Sequence, residues 1–181
     1  MKCIPTAIPD ALIIEPEVFG DNRGFFFESF NRRKFAELIG RDVDFVQDNH
    51  SLSKRNVLRG LHYQIQHPQA KLIRVIQGVV LDVAVDIRRS SPTFGQYVVE
   101  ELSAENKRML WVPEGFAHGF AVLSDMAEYI YKTTDYWHPE YERCIRWDDV
   151  TLAIDWRLQV VPVVAAKDAK GKSLGEAELF A

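Results

Sequence analysis

The chain has 181 residues, 47% of them hydrophobic and 27% charged, with a formal net charge of -4. That size suits one domain with a substantial core, since chains near this length bury roughly 70% of their unfolded surface. The acidic balance excludes a general nucleic-acid binder, and with two cysteines (Cys3 and Cys144) and no apolar run of membrane-span length, a soluble cytoplasmic chain without a disulfide framework is expected.

Leu12 to Pro16 reads as a first strand, placed at a sheet edge because Pro16 has no N–H to donate. Gly20 to Gly24 is a turn cluster, and Phe25 to Phe30 behind it is aromatic and extended. The spacing predicts a helix over Asn31 to Gly40. Asn31 can cap it, Phe35, Leu38 and Ile39 share one face, and Gly40 can close it. From Phe45 onward short strands dominate: Phe45 to Asn49, Val57 to Tyr63, Lys71 to Gln77, Val79 to Asp86, Tyr97 to Leu102, Met109 to Val112, Phe116 to Leu123 and Glu128 to Thr133. Turn signals such as Gln77-Gly78, Ser91-Pro92 and Pro113-Glu114-Gly115 separate them. A spacing of about 8–12 residues points to an all-β sandwich or barrel. Within Val79 to Asp86, alternation puts Val80, Asp82, Ala84 and Asp86 on one face, suited to a polar cavity. Val79, Leu81, Val83 and Val85 fall on the other, suited to packing against a layer. From Trp137 the pattern is less regular, and Lys167 to Leu179 reads as short helix or docked coil. No repeat or linker interrupts the chain, so residues 1–181 are expected to form one domain.

Arg59-Gly60-Leu61-His62 sets a fixed cation, a glycine and an imidazole within four positions. Three residues apart, Arg59 and His62 point to opposite faces of a regular strand, and a bulge or twist at Gly60 is needed to bring them together. An imidazole titrating near neutrality can take a proton from a carbon next to a carbonyl. Arg59 and Lys71 can stabilise the enolate oxygen that forms. Asp82, Asp86 and Asp168 are all candidates for a carboxylate that orients the ring. Tyr129 and Tyr131 share a face, and a phenol there can return a proton as a general acid.

Pro113 to His118 matches P-x-G-x-x-H, the second cupin motif, whose histidine is commonly a metal ligand. The first cupin motif supplies H-x-H, but here it reads His62-Tyr63-Gln64. The second histidine is missing, and a lysine ammonium at Lys71 opposes a cation. Acid–base groups in place of a metal are therefore expected. Arg23, Phe25, Phe26, Phe27, Glu28, Gln47, Asp48, Asn49 and Trp137 form an aromatic and polar collection suited to phosphates, a base and sugar hydroxyls. No Walker loop or G-x-G-x-x-G follows a strand.

Six blocks in order carry a resemblance: Phe19 to Ser29, Phe45 to Ser51, Asn56 to His62, Pro113 to Phe120, Tyr131 to Thr134 and Ala166 to Ala169. Over nearly its whole length the chain resembles the dTDP-4-dehydrorhamnose 3,5-epimerase family. The resemblance implies a cupin-type β-jelly-roll with a few short peripheral helices, a homodimer, and no metal or organic cofactor. It implies epimerisation of dTDP-4-dehydro-6-deoxy-D-glucose at C3 and C5, giving dTDP-4-dehydro-L-rhamnose on the way to dTDP-L-rhamnose. Under it, His62 matches the general base, Asp168 its carboxylate partner and Tyr131 the general acid. Arg59, Lys71 and His118 match sugar and oxyanion contacts. Arg23, Phe26, Glu28, Gln47, Asp48, Asn49, Glu142 and Lys167 match substrate contacts, and Trp137 stands where the family stacks the thymine. Competing readings are an epimerase of a single centre, a ketoisomerase on a related dTDP-4-keto-6-deoxy sugar, and a non-catalytic sugar-nucleotide binder. Gln64 to Ala70 is a variable loop before Lys71, and His67 within it has no assigned role.

Overall fold

In the computed structural model, which covers residues 1–181, two antiparallel sheets lie face to face. One runs in spatial order β1 (Lys2–Pro5), β2 (Leu12–Glu15), β10 (Met109–Val112), β7 (Lys71–Gln77), β12 (Met126–Thr133) and β5 (Gln47–Lys54). The other runs β13 (Glu142–Cys144), β6 (Leu58–Gln64), β11 (Phe116–Val122), β8 (Val79–Asp86) and β9 (Tyr97–Ser103). This is the cupin-type jelly roll. A separate hairpin, β3 (Val18–Asp21) with β4 (Gly24–Phe27), pairs only with itself. No helix is long and apolar enough to cross a membrane.

Alternation along the strands sorts the side chains into three apolar clusters. Ile73, Val75, Val80, Ala84, Leu110, Val112, Phe116, Phe120, Val122 and Tyr129 interdigitate between the sheets. Their neighbours in sequence face outward. Leu72, Met109 and Trp111 meet Phe35 from helix α1 (Arg32–Ile39), with Phe30 and Phe45 beside them. Val83, Val85, Ala117 and Ala121 are covered by Leu152, Trp156, Leu174 and Ala177. The irregular tail is thus the outer layer of the five-stranded sheet, as the second face of β8 required.

Helix α1 forms where expected: Asn31 accepts from the Lys34 N–H at 3.2 Å, and Gly40 closes it at φ 75. Two expectations change. Leu12 to Glu15 is an interior strand, because the short β1 pairs along its outer edge; Pro16 lies just past its end and takes no part in the ladder. The strand expected over Phe45 to Asn49 begins at Gln47 and continues to Lys54 as the sheet edge. Phe45 instead packs into the aromatic group under α1.

Candidate active site

Between the sheets lies a cavity of about 390 Å³ lined mostly by polar residues. The five-stranded sheet contributes Arg59, His62 and Gln64 from β6 and His118 from β11; the six-stranded sheet contributes Lys71 from β7, Tyr129 and Tyr131 from β12, and Gln47 and Asn49 from β5. Trp137, Glu142, Lys167 and Asp168 complete it from the C-terminal third.

Arg59 and His62 share this cavity because β6 is bulged between them. His118 of β11 lies opposite His62, yet Phe120, only two residues on, lies opposite Arg59, three residues away along β6. Gly60 takes up the extra residue at φ 119. A Cβ on Gly60 would stand 2.6 Å from Gly119 Cα and 2.7 Å from the His118 carbonyl oxygen, so the two strands cross at a glycine pair. That crossing turns both functional side chains of β6 inward.

Helix α2 (Ala166–Ala169) brings in Asp168, which is 1% exposed. One carboxylate oxygen lies 2.7 Å from His62 Nε2, and the other accepts from the Gly60 N–H at 3.3 Å. Burial alone would raise the Asp168 pKa. The His62 hydrogen bond and charge, the Gly60 N–H and the nearby Lys167 outweigh it and hold the group below its ordinary value. Of the three candidate carboxylates, Asp168 is therefore the partner of His62. Asp86 is taken by Arg88, Ser91 and Thr93, away from the cavity.

Asp82 has another task. It lies at 2.7 Å from His118 Nε2 and accepts from the Tyr129 hydroxyl at 2.5 Å, which ties the two sheets together beneath the cavity floor. Burial lowers the His118 pKa against the opposing pull of Asp82, and burial with the Asp82 charge pushes the Tyr129 phenol well above its ordinary range. Sequence reasoning missed this inter-sheet link, whose only signal is the aspartates Asp82 and Asp86 in an otherwise apolar strand. Burial also pulls Lys71 down to about 8, opposed by Asp82 and Glu142. It raises the Tyr131 phenol, with Glu142 adding to the rise and Arg59 opposing it, so Tyr131 stays protonated.

Gln64, the residue that stands for the missing cupin histidine, is buried and holds the cavity rim. Its amide nitrogen donates to the carbonyls of His67 (2.7 Å) and Tyr136 (3.2 Å), and its oxygen accepts from the His138 N–H at 2.7 Å. Trp137 N–H donates to Gln47 Oε1 at 3.0 Å, which fixes the indole segment at the opening. Lys167 pairs with Glu142 at 2.9 Å on the same rim.

Four expected contacts lie outside this cavity within one chain. Arg23 pairs with Asp21, Glu28 with Lys34, and Phe26 projects from the hairpin 72% exposed. Asp48 points to the opposite side of β5 from Gln47 and Asn49, as the two-residue period demands, and pairs with Lys132 at 2.9 Å. An unexpected neighbour is Cys144, which faces His62 across the β13–β6 ladder. His62, Cys144 and Asp168 offer donor atoms within 4.8 Å of one another. Burial pushes the Cys144 thiol up to about 12, which disfavours the thiolate a metal would need, and His62 already engages Asp168.

The profile of the family described as dTDP-4-dehydrorhamnose 3,5-epimerase matches residues 5–176. The dTDP-4-dehydrorhamnose 3,5-epimerase of Pseudomonas aeruginosa is 62% identical over 180 residues, covering 99% of each chain. The chain belongs to the dTDP-4-dehydrorhamnose 3,5-epimerase family. A solved 3,5-epimerase from Legionella pneumophila, in complex with dTDP-4-keto-L-rhamnose, superposes with a TM-score of 0.97 at 53% identity, covering 99% of this chain and 97% of the other. A 3'-monoepimerase from Streptomyces bikiniensis, in complex with dTDP-quinovose, gives a TM-score of 0.90 at 32% identity, covering 97% and 88%. The epimerase family thus accounts for the jelly roll.

Proposed function

We propose that this epimerase inverts C3 and C5 of dTDP-4-dehydro-6-deoxy-D-glucose to give dTDP-4-dehydro-L-rhamnose, as one cytoplasmic catalytic domain spanning residues 1–181. One observation carries the assignment of roles. The carboxylate-bound imidazole of His62 stands on one sheet and the half-buried phenol of Tyr131 on the other, with a cavity lined mostly by polar residues between. The C4 ketone acidifies the protons on both neighbouring carbons. His62 takes a proton from one face of the ring, and Asp168 stabilises the imidazolium that results. Arg59, Lys71 and His118 hold the enolate oxygen. Tyr131 delivers a proton to the opposite face, which inverts the centre. Gln47, Asn49, Glu142, Lys167 and the Trp137 ring bind the nucleotide and its pyrophosphate around the opening. The residues assigned here are acid–base groups, and the role of each follows without a cofactor. The test is a proton NMR time course with the dTDP-keto sugar in deuterium oxide. Deuterium at both C3 and C5 supports double epimerisation, and deuterium at one alone establishes a single-centre enzyme.

The same reading includes a homodimer in which the β3–β4 hairpin of one chain completes the cavity of the other. An isolated two-stranded hairpin is marginal in water, yet this one exposes Phe19, Phe25 and Phe26 at 59%, 64% and 72%. Arg23, Phe26 and Glu28 sit on or beside it. A partner cavity would cover the aromatics and receive the Arg23 cation. Mixing inactive Arg23→Ala and His62→Ala chains under exchange conditions should restore roughly a quarter of wild-type activity, because half of the dimers then hold one intact site. No recovery, with both chains dimeric by light scattering, would exclude a shared site.

A further inference from the structure

Outside the catalytic cavity, the variable loop of β6–β7 and the segment after β12 meet at a cluster of histidines and a carboxylate. His67, Asp135 and His138 present one donor atom each, and all three atoms lie within 4.8 Å of one another. His67 Nδ1 is 3.3 Å from Asp135 Oδ2, and the two imidazoles stack with centroids 4.3 Å apart. Glu140 lies 3.7 Å from His138 Nδ1 as a further carboxylate on the open side.

The backbone around this cluster is held in place from below. Gln64 grips the His67 carbonyl and the His138 N–H, Gln69 Nε2 donates to the Asp135 carbonyl at 2.9 Å, and Asp135 Oδ1 accepts from the Tyr136 N–H at 2.7 Å. That leaves Asp135 Oδ2 turned toward the histidines. His67 itself sits at φ 52, a left-handed conformation that histidine adopts more readily than most residues bearing a Cβ. An imidazole nitrogen offers a lone pair to a metal, and a carboxylate beside two such rings suits a dication.

We propose that His67, Asp135 and His138 form a binding site for a divalent transition-metal ion of the zinc class on the rim of the cavity. Imidazole nitrogens with one carboxylate select zinc, nickel or copper over magnesium or calcium, which prefer all-oxygen shells. Bound there, the ion ties the loop carrying His67 to the segment carrying Trp137, and so stiffens one side of the opening.

The test uses full-length protein stripped with chelator and dialysed, titrated with zinc against a chromophoric chelator at pH 7.5. One zinc per chain is expected, undiminished by millimolar magnesium. His67→Ala and His138→Ala should each weaken binding at least tenfold, and Cys144→Ala should leave it unchanged. His67 is half exposed, so its variant keeps the fold, which circular dichroism would verify. The proposal is overturned if the wild type takes up no zinc. It is also overturned if His67→Ala binds as the wild type does, or if the Cys144 variant is the one that loses the metal.

Discussion

The carboxylate of Asp168 joins two parts of β6 at once: the His62 ring at 2.7 Å and the Gly60 N–H at 3.3 Å. The residue that orients His62 therefore also pins the bulge that presents it. Removing the charge alone separates these functions. Asp168→Asn keeps the shape and can still accept from Gly60, but it cannot stabilise an imidazolium. Its kcat should fall roughly 10²- to 10⁴-fold with a near-native fold. Stopped assays with the dTDP-keto sugar, beside a thermal melt, check it. A loss of activity matched by global unfolding would show a structural role only.

His62→Ala should abolish deuterium incorporation at C3 and C5, because no other group is assigned as base on that side of the cavity. NMR in deuterium oxide reads this directly. Persistent exchange at either carbon would remove His62 from its role.

Tyr131→Phe keeps the ring that packs against Tyr129 and deletes only the proton donor. Epimer formation should drop by about 10²-fold or more, while exchange of the substrate proton on the His62 side falls by less than tenfold. Equal loss of both would argue against the acid role.

Lys71 should govern the alkaline side of activity. In its proposed role the cation holds the enolate, and burial brings its pKa to about 8, so kcat should decline as pH rises through that value. Stability runs the other way. The folded state carries a half-buried charge below about 8, and that penalty fades as pH rises toward the unfolded value of 10.5. Lys71→Met should therefore be inactive at pH 7 yet more stable by roughly 1–3 kcal/mol, with the gain shrinking above pH 8. Denaturant melts at pH 7 and pH 10 test both signs.

Gly60→Ala should destabilise the fold by about 2–4 kcal/mol, since a Cβ meets the Gly119 backbone at 2.6 Å and φ 119 is closed to alanine. The residual folded fraction should bind substrate poorly, because Arg59 and His62 diverge once the bulge is displaced. Calorimetry and KM together measure this. Native stability would refute the crossing-glycine account.

Local rules acting within a few residues were legible in the chain itself. The Asn31 cap and the Gly40 closure marked α1, and two-residue alternation placed Tyr129 with Tyr131 and split β8 into its two faces. The need for a bulge at Gly60 followed from counting positions between Arg59 and His62. Alternation puts Asp48 on the other side of β5 from Gln47 and Asn49, where it pairs with Lys132. What the tertiary structure alone decided were pairings across long separations. Asp168 rather than Asp86 meets His62, 106 positions away, and Asp82 crosses between sheets to Tyr129. No local pattern encodes such choices, because three aspartates have the same intrinsic chemistry. Sheet order and the docking of the C-terminal tail select among them. The bulged strand that began as a cation and an imidazole three positions apart becomes one wall of the cavity, with Asp168 packed against its imidazole.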